Sequence, residues 1–150
     1  MIDLSVDADV VGRLQDGELD VLRERLSRML EAVGLTEASA EELEASLRLV
    51  SDATIQALNR DYRGKSSPTD VLAFAQREGE GADLHPQLLG DIVVSLDTAA
   101  RQCADRGLRG EVLFLATHGL CHLLGYDHNT DDEEALMNAR MTALLAGSNS

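Results

Sequence analysis

The chain has 150 residues, of which 44% are hydrophobic, and it carries a formal net charge of −14. This length suits one ordinary domain that buries ~70% of its unfolded surface, and it leaves no room for a second domain of the usual size. No apolar run approaches the ~20 residues of a membrane helix, and the acidity opposes nucleic-acid binding unless a local basic patch is present.

Alternating apolar and polar residues predict a half-buried strand at the start of the chain, over residues 2–7. Asp16 is placed to cap a helix that runs to about Val33, and Gly34 would end this helix. The start of the chain has neither the basic segment nor the apolar stretch of a signal peptide. We therefore expect the protein in the cytoplasm.

The middle of the chain predicts two more strands and a helix. Residues 44–50 alternate again, and a helix follows over 51–60, starting at its first or second residue. Glycine, serine and proline then predict a connection at 61–70. The continuous apolar run 71–75 is typical of a strand that is covered on both faces.

Residues 76–88 have the composition of a long mobile loop, and we interpret His85 within it as a solvated residue. The last strand is predicted at 90–96. A helix then opens at residue 97 or 98 and ends near Gly107.

The next predicted helix begins at Gly110 and Glu111 and is apolar nearly all round, so we expect it to be central and buried. Four acidic residues at 131–134 favour the start of a final helix. The inward face of that helix is predicted to hold Leu136, Met137, Met141, Leu144 and Leu145. Four strands and about five helices in mixed order make one α+β or α/β layer structure. We expect α+β, with a small mixed sheet in a single domain over 1–150.

Three of the four histidines lie within the stretch 118–128. His118 and His122 are four residues apart, so a helix presents both on one face. Gly125 follows where the helix should stop, and the chain can then return His128 to the same point. Three neutral nitrogen donors favour one zinc ion per chain and leave a fourth position for water or substrate.

The spacing His-x3-His-x5-His is also that of the long zinc-protease motif, in which a general-base glutamate follows the first histidine. Gly119 stands at that position here. A metal site of protease spacing without the protease base indicates hydrolysis of a different bond.

The two cysteines, Cys103 and Cys121, form no disulfide framework, and we expect no disulfide. Cys121 lies near His118 around the helix. Packing is the interpretation we favour for it over a thiolate ligand.

Two further segments accompany the histidine motif. Tyr-Arg-Gly-Lys occupies 62–65 and continues through Pro-Thr-Asp to the apolar strand at 68–74, and Leu-Gly-Asp-Ile-Val occupies 89–93. With His-Gly-x-x-His-Leu-x-Gly-Tyr-Asp-His at 118–128, they make the chain resemble the YbeY family of bacterial zinc-dependent endoribonucleases. The first 45 residues match this family only in pattern. The family usually has leucine at Cys121, a departure that removes no metal ligand.

The resemblance implies that His118, His122 and His128 bind zinc and that Arg63 is the family's functional arginine. It implies a single-strand endoribonuclease that acts in maturation of the 16S rRNA 3′ end and in ribosome quality control. The arginine is a planar fork suited to a phosphate, and Lys65 supplies a compact charge nearby, so we interpret Arg63 as catalytic and Lys65 as substrate-binding.

The general base is not identified from the sequence. The 2′-hydroxyl of RNA would serve as nucleophile without a protease-type glutamate. Asp127 is the nearest acid, and we expect it to orient a ligand histidine or to hold the turn. Tyr126 is interpreted as a packing residue in preference to a base-stacking one.

Two other functions stay open. One is a non-enzymatic ribosome-assembly or protein-binding module in which a fourth protein ligand closes a structural zinc site. The other is a zinc peptidase, which Gly119 opposes. Because the chain is strongly acidic, a further hypothesis is that it reaches RNA through a partner, such as a ribosomal protein or a ribosome-bound GTPase. No membrane partner is expected.

Overall fold

The computed structural model describes residues 1–39, 41–76 and 85–149. Within these ranges the chain forms four strands, β1 Ile2–Val6, β2 Glu44–Val50, β3 Val71–Ala75 and β4 Leu88–Ser95. It also forms five α-helices, α1 Asp16–Thr36, α2 Asp52–Arg63, α3 Leu96–Gln102, α4 Gly107–Leu123 and α5 Asp131–Gly147. Short 3₁₀ turns lie at Ala8–Val10 and Ala104–Arg106. The α+β prediction is confirmed.

The four strands form one mixed sheet in the order β1-β2-β4-β3. The pairs β1–β2 and β2–β4 are parallel, with Leu4 opposite Leu47 and Leu47 opposite Ile92. The last pair is antiparallel and sets Phe74 of β3 opposite Asp91 of β4. β3 is therefore an edge strand, and Leu72 is its one buried residue. The prediction that this strand is covered on both faces was wrong, because its outer side borders an open cleft.

The sheet separates two apolar layers. Helices α1, α4 and α5 cover one face and form the main core with Leu47, Leu49 and Ile92. On the other face α2 lays Ile55 against Val93 in a small second cluster. The rest of that second face is left open by the described residues.

Helix α4 is the central element, as its nearly continuous apolar surface predicted, and ten of its residues are buried. It packs closely on β4 at Gly119. A Cβ added to Gly119 would lie only 2.7 Å from the Cγ2 atom of Ile92. The close approach of helix and sheet therefore depends on the absence of a side chain at this position.

Several boundaries differ from the sequence prediction. Gln15 is the N-cap of α1 and shares a capping box with Glu18, so Asp16 is the first helical residue. The helix continues through Gly34 to Thr36, since a glycine ends a helix only where the chain turns away. Leu136 was predicted to face inward, but 64% of its surface is exposed.

The physical reason for this last difference is helical spacing. Met137, Met141 and Leu144 form a buried stripe at intervals of four and three residues, and Leu136 lies about 100° away from it. The predicted loop at 76–88 falls mostly on residues 77–84, outside the described ranges. His85 is exposed, as predicted. None of the described helices is long and apolar enough to cross a membrane.

Candidate metal centre

The end of α4 brings the three clustered histidines together. Gly125 has φ 96°, and the backbone N–H groups of Gly125 and Tyr126 donate to the carbonyls of His122 and Cys121, both at 3.0 Å. These two bonds close the helix and reverse the chain. His128 therefore returns to the face of α4 that carries His118 and His122.

The three imidazoles converge on one point. One ring nitrogen of each histidine lies within 4.8 Å of the corresponding atom of the other two. The Nε2 atoms of His118 and His122 are 3.1 Å apart, and the ring of His128 is centred 5.3 Å from that of His122. This arrangement presents three nitrogen lone pairs to a single ion.

The histidines on α4 are neutral at neutral pH. Burial lowers the pKa of His118, and the charges of His122 and His128 lower it further, against an opposing effect of Asp70. Burial also lowers the pKa of His122, with additional lowering from His128 and from Arg63. Neutral imidazole is the form that binds a metal ion, so the donor set fits zinc.

The coordination set is open on the side of the solvent. Among the described residues, no cysteine, aspartate or glutamate contributes a fourth ligand atom to the group of three histidines. Cys121 is buried in the main core, and burial raises the pKa of its thiol to about 11. This favours packing over a thiolate ligand, and both cysteines are free.

Asp127 shapes the turn that carries the third histidine. Its Oδ1 atom accepts the backbone N–H of His128 at 2.8 Å, and its Oδ2 atom accepts the side-chain amide of Asn129 at 2.9 Å. The carboxylate thus holds the backbone of His128 and makes no hydrogen bond to a ligand ring. The turn-holding role predicted for Asp127 fits these contacts.

The histidines line a cleft of about 680 Å³ between α4 and the edge strand β3. Arg63, the last residue of α2, lines the same cleft together with its neighbour Tyr62. Within the described ranges the guanidinium of Arg63 has no hydrogen-bond or ion-pair partner. Its charge nevertheless reaches the metal centre, since it contributes to the lowered pKa of His122.

Lys65 is not among the residues that line the cleft. It lies exposed in the loop after α2, and its backbone N–H donates to the carbonyl of Asn59 at 3.4 Å. The structure brings Arg63 to the histidines and leaves Lys65 beside the cleft.

Sequence reasoning missed a polar chain behind the cleft. Asp70 lines the cleft and accepts a hydrogen bond from Gln102 at 3.1 Å. Gln102 also donates to Glu111, which is 2% exposed and accepts from Arg106 at 2.9 Å. Glu111 precedes His118 by seven residues on α4, and that helical spacing was the one signal in the sequence.

Sequence reasoning also gave Tyr62 no role, although it directly precedes Arg63 and is the most exposed aromatic residue of the chain. Tyr126, in contrast, packs against the main core and does not line the cleft. The exposed aromatic side chain at the cleft is therefore Tyr62, and the half-buried Phe74 lines the cleft beside it.

Comparisons with known proteins agree with this geometry. A family model described as Endoribonuclease YbeY matches residues 13–149. The Endoribonuclease YbeY of Moorella thermoacetica is 51% identical over 130 residues, which cover 81% of this chain and 83% of that protein. The Endoribonuclease YbeY of Symbiobacterium thermophilum is 43% identical over 147 residues, covering 94% and 92%.

Among solved structures, the solution structure of TM1509 from Thermotoga maritima has a similar fold, with a TM-score of 0.62. The match covers 99% of this chain and 89% of that protein at 24% identity. At this identity the likeness shows the fold alone.

Proposed function

The chain belongs to the Endoribonuclease YbeY family, and on that premise we propose that it is a zinc-dependent endoribonuclease that cleaves single-stranded RNA. The observation that carries the proposal is the convergence of three histidine nitrogens beside an arginine that has no partner among the described residues. Both groups face one cleft, so a phosphodiester in that cleft would meet both.

His118, His122 and His128 would hold the zinc ion. When bound, zinc supplies a Lewis acid that polarises a phosphoryl oxygen and lowers the pKa of a bound water to ~7. The lowered pKa values of the half-buried His118 and His122 support this role, because the neutral imidazole has a free lone pair for the ion.

Arg63 would bind the scissile phosphate. Its guanidinium offers two parallel N–H donors to two phosphate oxygens, and its charge opposes the negative charge that develops as the phosphorus adds a fifth oxygen. Support comes from its place in the cleft and from its freedom from ion pairs within the described ranges. Lys65, outside the cleft, would contact a more distant phosphate of the strand.

The 2′-hydroxyl of the RNA would attack the adjacent phosphorus, and the 5′-oxygen of the next nucleotide would leave with a proton from solvent. One product would then end in a 2′,3′-cyclic phosphate. Gly119 stands where a zinc peptidase has its general-base glutamate, and Ile92 leaves no room there for a side chain. A substrate that brings its own nucleophile does not require a glutamate to activate a water, and the proton of the 2′-hydroxyl would pass to solvent. The same observation disfavours the peptidase interpretation.

A structural zinc site in a non-enzymatic assembly module is disfavoured for a different reason. Structural zinc sites are closed by four protein ligands. The described residues provide three ligand atoms and an open cleft beside them.

We further infer a place for this activity in the cell from the family. The proposed substrate is ribosomal RNA, at the 3′ end of the small-subunit molecule, in cytoplasmic maturation and quality control of ribosomes. Residues 1–150 would act as one hydrolase domain. A ribosomal protein or a ribosome-bound GTPase is the proposed partner, since a net charge of −14 disfavours direct capture of RNA.

The test is cleavage of a short single-stranded RNA that has the sequence of that 3′ end. Metal-stripped protein, zinc-restored protein and zinc-treated His122→Ala protein are compared, with His85→Ala as the matched control. We expect cleavage in the zinc-restored wild type and in His85→Ala only. Equal cleavage by metal-stripped protein or by His122→Ala would overturn the proposal. Casein digestion under the same conditions tests the peptidase alternative.

A further inference from the structure

Tyr62 is an exposed aromatic residue whose ring contacts one other ring. Its surface is 69% exposed, although large apolar groups are usually covered. Its ring meets the ring of Phe74 edge-on, with centroids 5.1 Å apart and planes at 63°. This edge contact orients the Tyr62 ring and leaves much of the side chain open to solvent.

The other aromatic rings of the chain are not available in this way. The chain has two tyrosines, two phenylalanines and no tryptophan. Phe114 and Tyr126 pack against the main core, and Phe74 is half-buried beneath Tyr62. One exposed ring therefore remains, and it lies next to Arg63.

Tyr62 and Phe74 stand at the junction of two cavities. They line the cleft of the metal centre, and they also line a second cavity of about 510 Å³ on the open face of the sheet. A strand of RNA with its phosphate at Arg63 would pass over the Tyr62 ring as it leaves the cleft toward this face.

We propose that Tyr62 is a nucleobase platform, on which the base of a nucleotide next to the scissile phosphate stacks. The inference rests on the proposed function, since it takes single-stranded RNA as the ligand. Unpaired bases stack on exposed tyrosine rings in a sequence-tolerant way. The platform would select an unpaired nucleotide, because a base within a duplex does not expose its face.

The charge of the surroundings favours a base over a phosphate at this point. Asp3 and Asp91 line the second cavity, and Arg48 there is paired with Asp7 at 2.8 Å. Such a surface repels phosphate groups, whereas stacking of a neutral base depends on contact area and not on net charge. On an acidic chain, stacking on Tyr62 thus adds affinity that the net charge does not oppose.

Binding is measured on the full, zinc-loaded chain by fluorescence anisotropy of a labelled pentauridylate. The RNA carries 2′-O-methyl groups, which block attack by the 2′-hydroxyl. We expect Tyr62→Ala and Tyr62→Leu to weaken binding about tenfold and Tyr62→Phe to stay within about twofold of wild type. Leu35→Ala is the matched control, since Leu35 is 84% exposed and lines neither cavity.

The same titrations are repeated with ligands in which one nucleotide at a time lacks its base. At one position, loss of the base should weaken RNA binding by the wild type about tenfold. The same loss should leave RNA binding by Tyr62→Ala nearly unchanged. Thermal melting of each variant checks that it is folded.

The outcomes separate the two proposals. If wild type binds RNA and Tyr62→Ala binds equally well, the platform is overturned and the nuclease proposal stands. The platform is also overturned if the defect of Tyr62→Ala is the same for every abasic ligand, as it would be if the ring served packing or a protein partner. If folded wild type binds none of the RNAs, the platform is overturned, and the nuclease proposal is decided by the cleavage test alone.

Discussion

At the scale of single residues, the three histidines account for the metal affinity of the cleft. Changing His122 to alanine removes one of three converging donors and leaves two, too few to hold zinc in a site without further protein ligands among the described residues. We expect bound zinc to fall from about one ion per chain to well below half, as measured by elemental analysis after gel filtration.

The control for this prediction is the histidine outside the cluster. His85 is exposed and is not part of the converging group, so His85→Ala should keep its zinc. Full zinc content in His122→Ala would show that the ion binds elsewhere.

Arg63 is the second residue whose role is tested singly. Replacing it with alanine removes a charge-assisted two-donor contact to the phosphate, so kcat for RNA cleavage should fall on the order of 100-fold. Arg63→Lys should recover little of the lost kcat, because an ammonium group cannot offer two parallel donors to a phosphate. Steady-state kinetics with a short RNA measure both variants.

Arg60 provides the matched control on the same helix. It is exposed, pairs with Asp61 and does not line the cleft, so Arg60→Ala should keep nearly full activity. Equal losses in Arg60→Ala and Arg63→Ala would mean that the arginines act through general charge.

At the scale of elements, the contact of α4 with β4 positions the metal centre against the sheet. Gly119→Ala places a Cβ within 2.7 Å of Ile92, which forces helix and strand apart. We expect a loss of about 1–3 kcal/mol in the free energy of unfolding, measured in urea. Gly119→Glu should be less stable still and should not gain peptidase activity.

Gly17 is the control for the loss of a glycine. It lies in the first turn of α1 with no atom within 4 Å of an added Cβ, so Gly17→Ala should be neutral or slightly stabilising. A stability of Gly119→Ala equal to that of Gly17→Ala would refute the close-packing argument.

A second interaction between elements is a hydrogen-bonded carboxylate that joins the starts of α2 and α3. Asp52 accepts hydrogen bonds from Ser95 and Thr98, both at 2.6 Å, and pairs with Arg101 at 2.8 Å. Burial raises the pKa of Asp52, but these three partners outweigh it and the pKa is lowered. The folded state therefore holds this proton less tightly than the unfolded state does.

The sign of the pH effect follows from this lowering. The stabilisation is fully present above the unfolded pKa of ~3.9 and is lost as the pH falls through the lower folded value. Asp52→Asn should lower the free energy of unfolding at pH 7 by about 1–3 kcal/mol. Below pH ~4 the difference in this free energy between the variant and wild type should become smaller. Urea titrations across this range measure it.

Asp3→Asn is the comparison variant, since Asp3 is exposed on the open face of the sheet. Its free energy of unfolding at pH 7 should stay within about 0.5 kcal/mol of wild type, as for most surface substitutions. A gap between Asp52→Asn and wild type that does not change with pH would assign the effect to packing alone.

At the scale of the whole molecule, charge decides how RNA approaches. Asp and Glu outnumber Lys and Arg by 27 to 13, and among the described residues Arg63 lines the cleft and Lys65 lies beside it. We expect a shallow salt dependence, with log K falling by no more than about 1.4 per unit of log[salt], since two phosphate contacts on single strands give ~0.7 each. Anisotropy titrations at several salt concentrations give this slope.

A slope steeper than about −3 would contradict this expectation, because it would require several more phosphate contacts than the described part of the cleft offers. A steep slope that appears only when a ribosomal partner is added would instead locate those contacts on the partner.

The sequence by itself determined the parts of this protein that depend on local periodicity. Alternation at 44–50 predicted β2 with matching bounds, and alternation at 2–7 predicted β1 to within one residue. The spacing of His118, His122 and His128 around Gly125 predicted their convergence. Both patterns arise within one element, from the alternation of side chains along a strand or from the helical spacing of residues next to a turn. They can therefore be recognised without knowing what packs against that element.

The tertiary structure alone decided which distant residues share the site. It set Arg63 and Tyr62 across the cleft from α4, left Lys65 outside it, and made β3 a half-open edge. It also set the close contact at Gly119. These features depend on how helices and strands far apart in the chain pack together, and side-chain packing between elements leaves no periodic pattern in a single sequence.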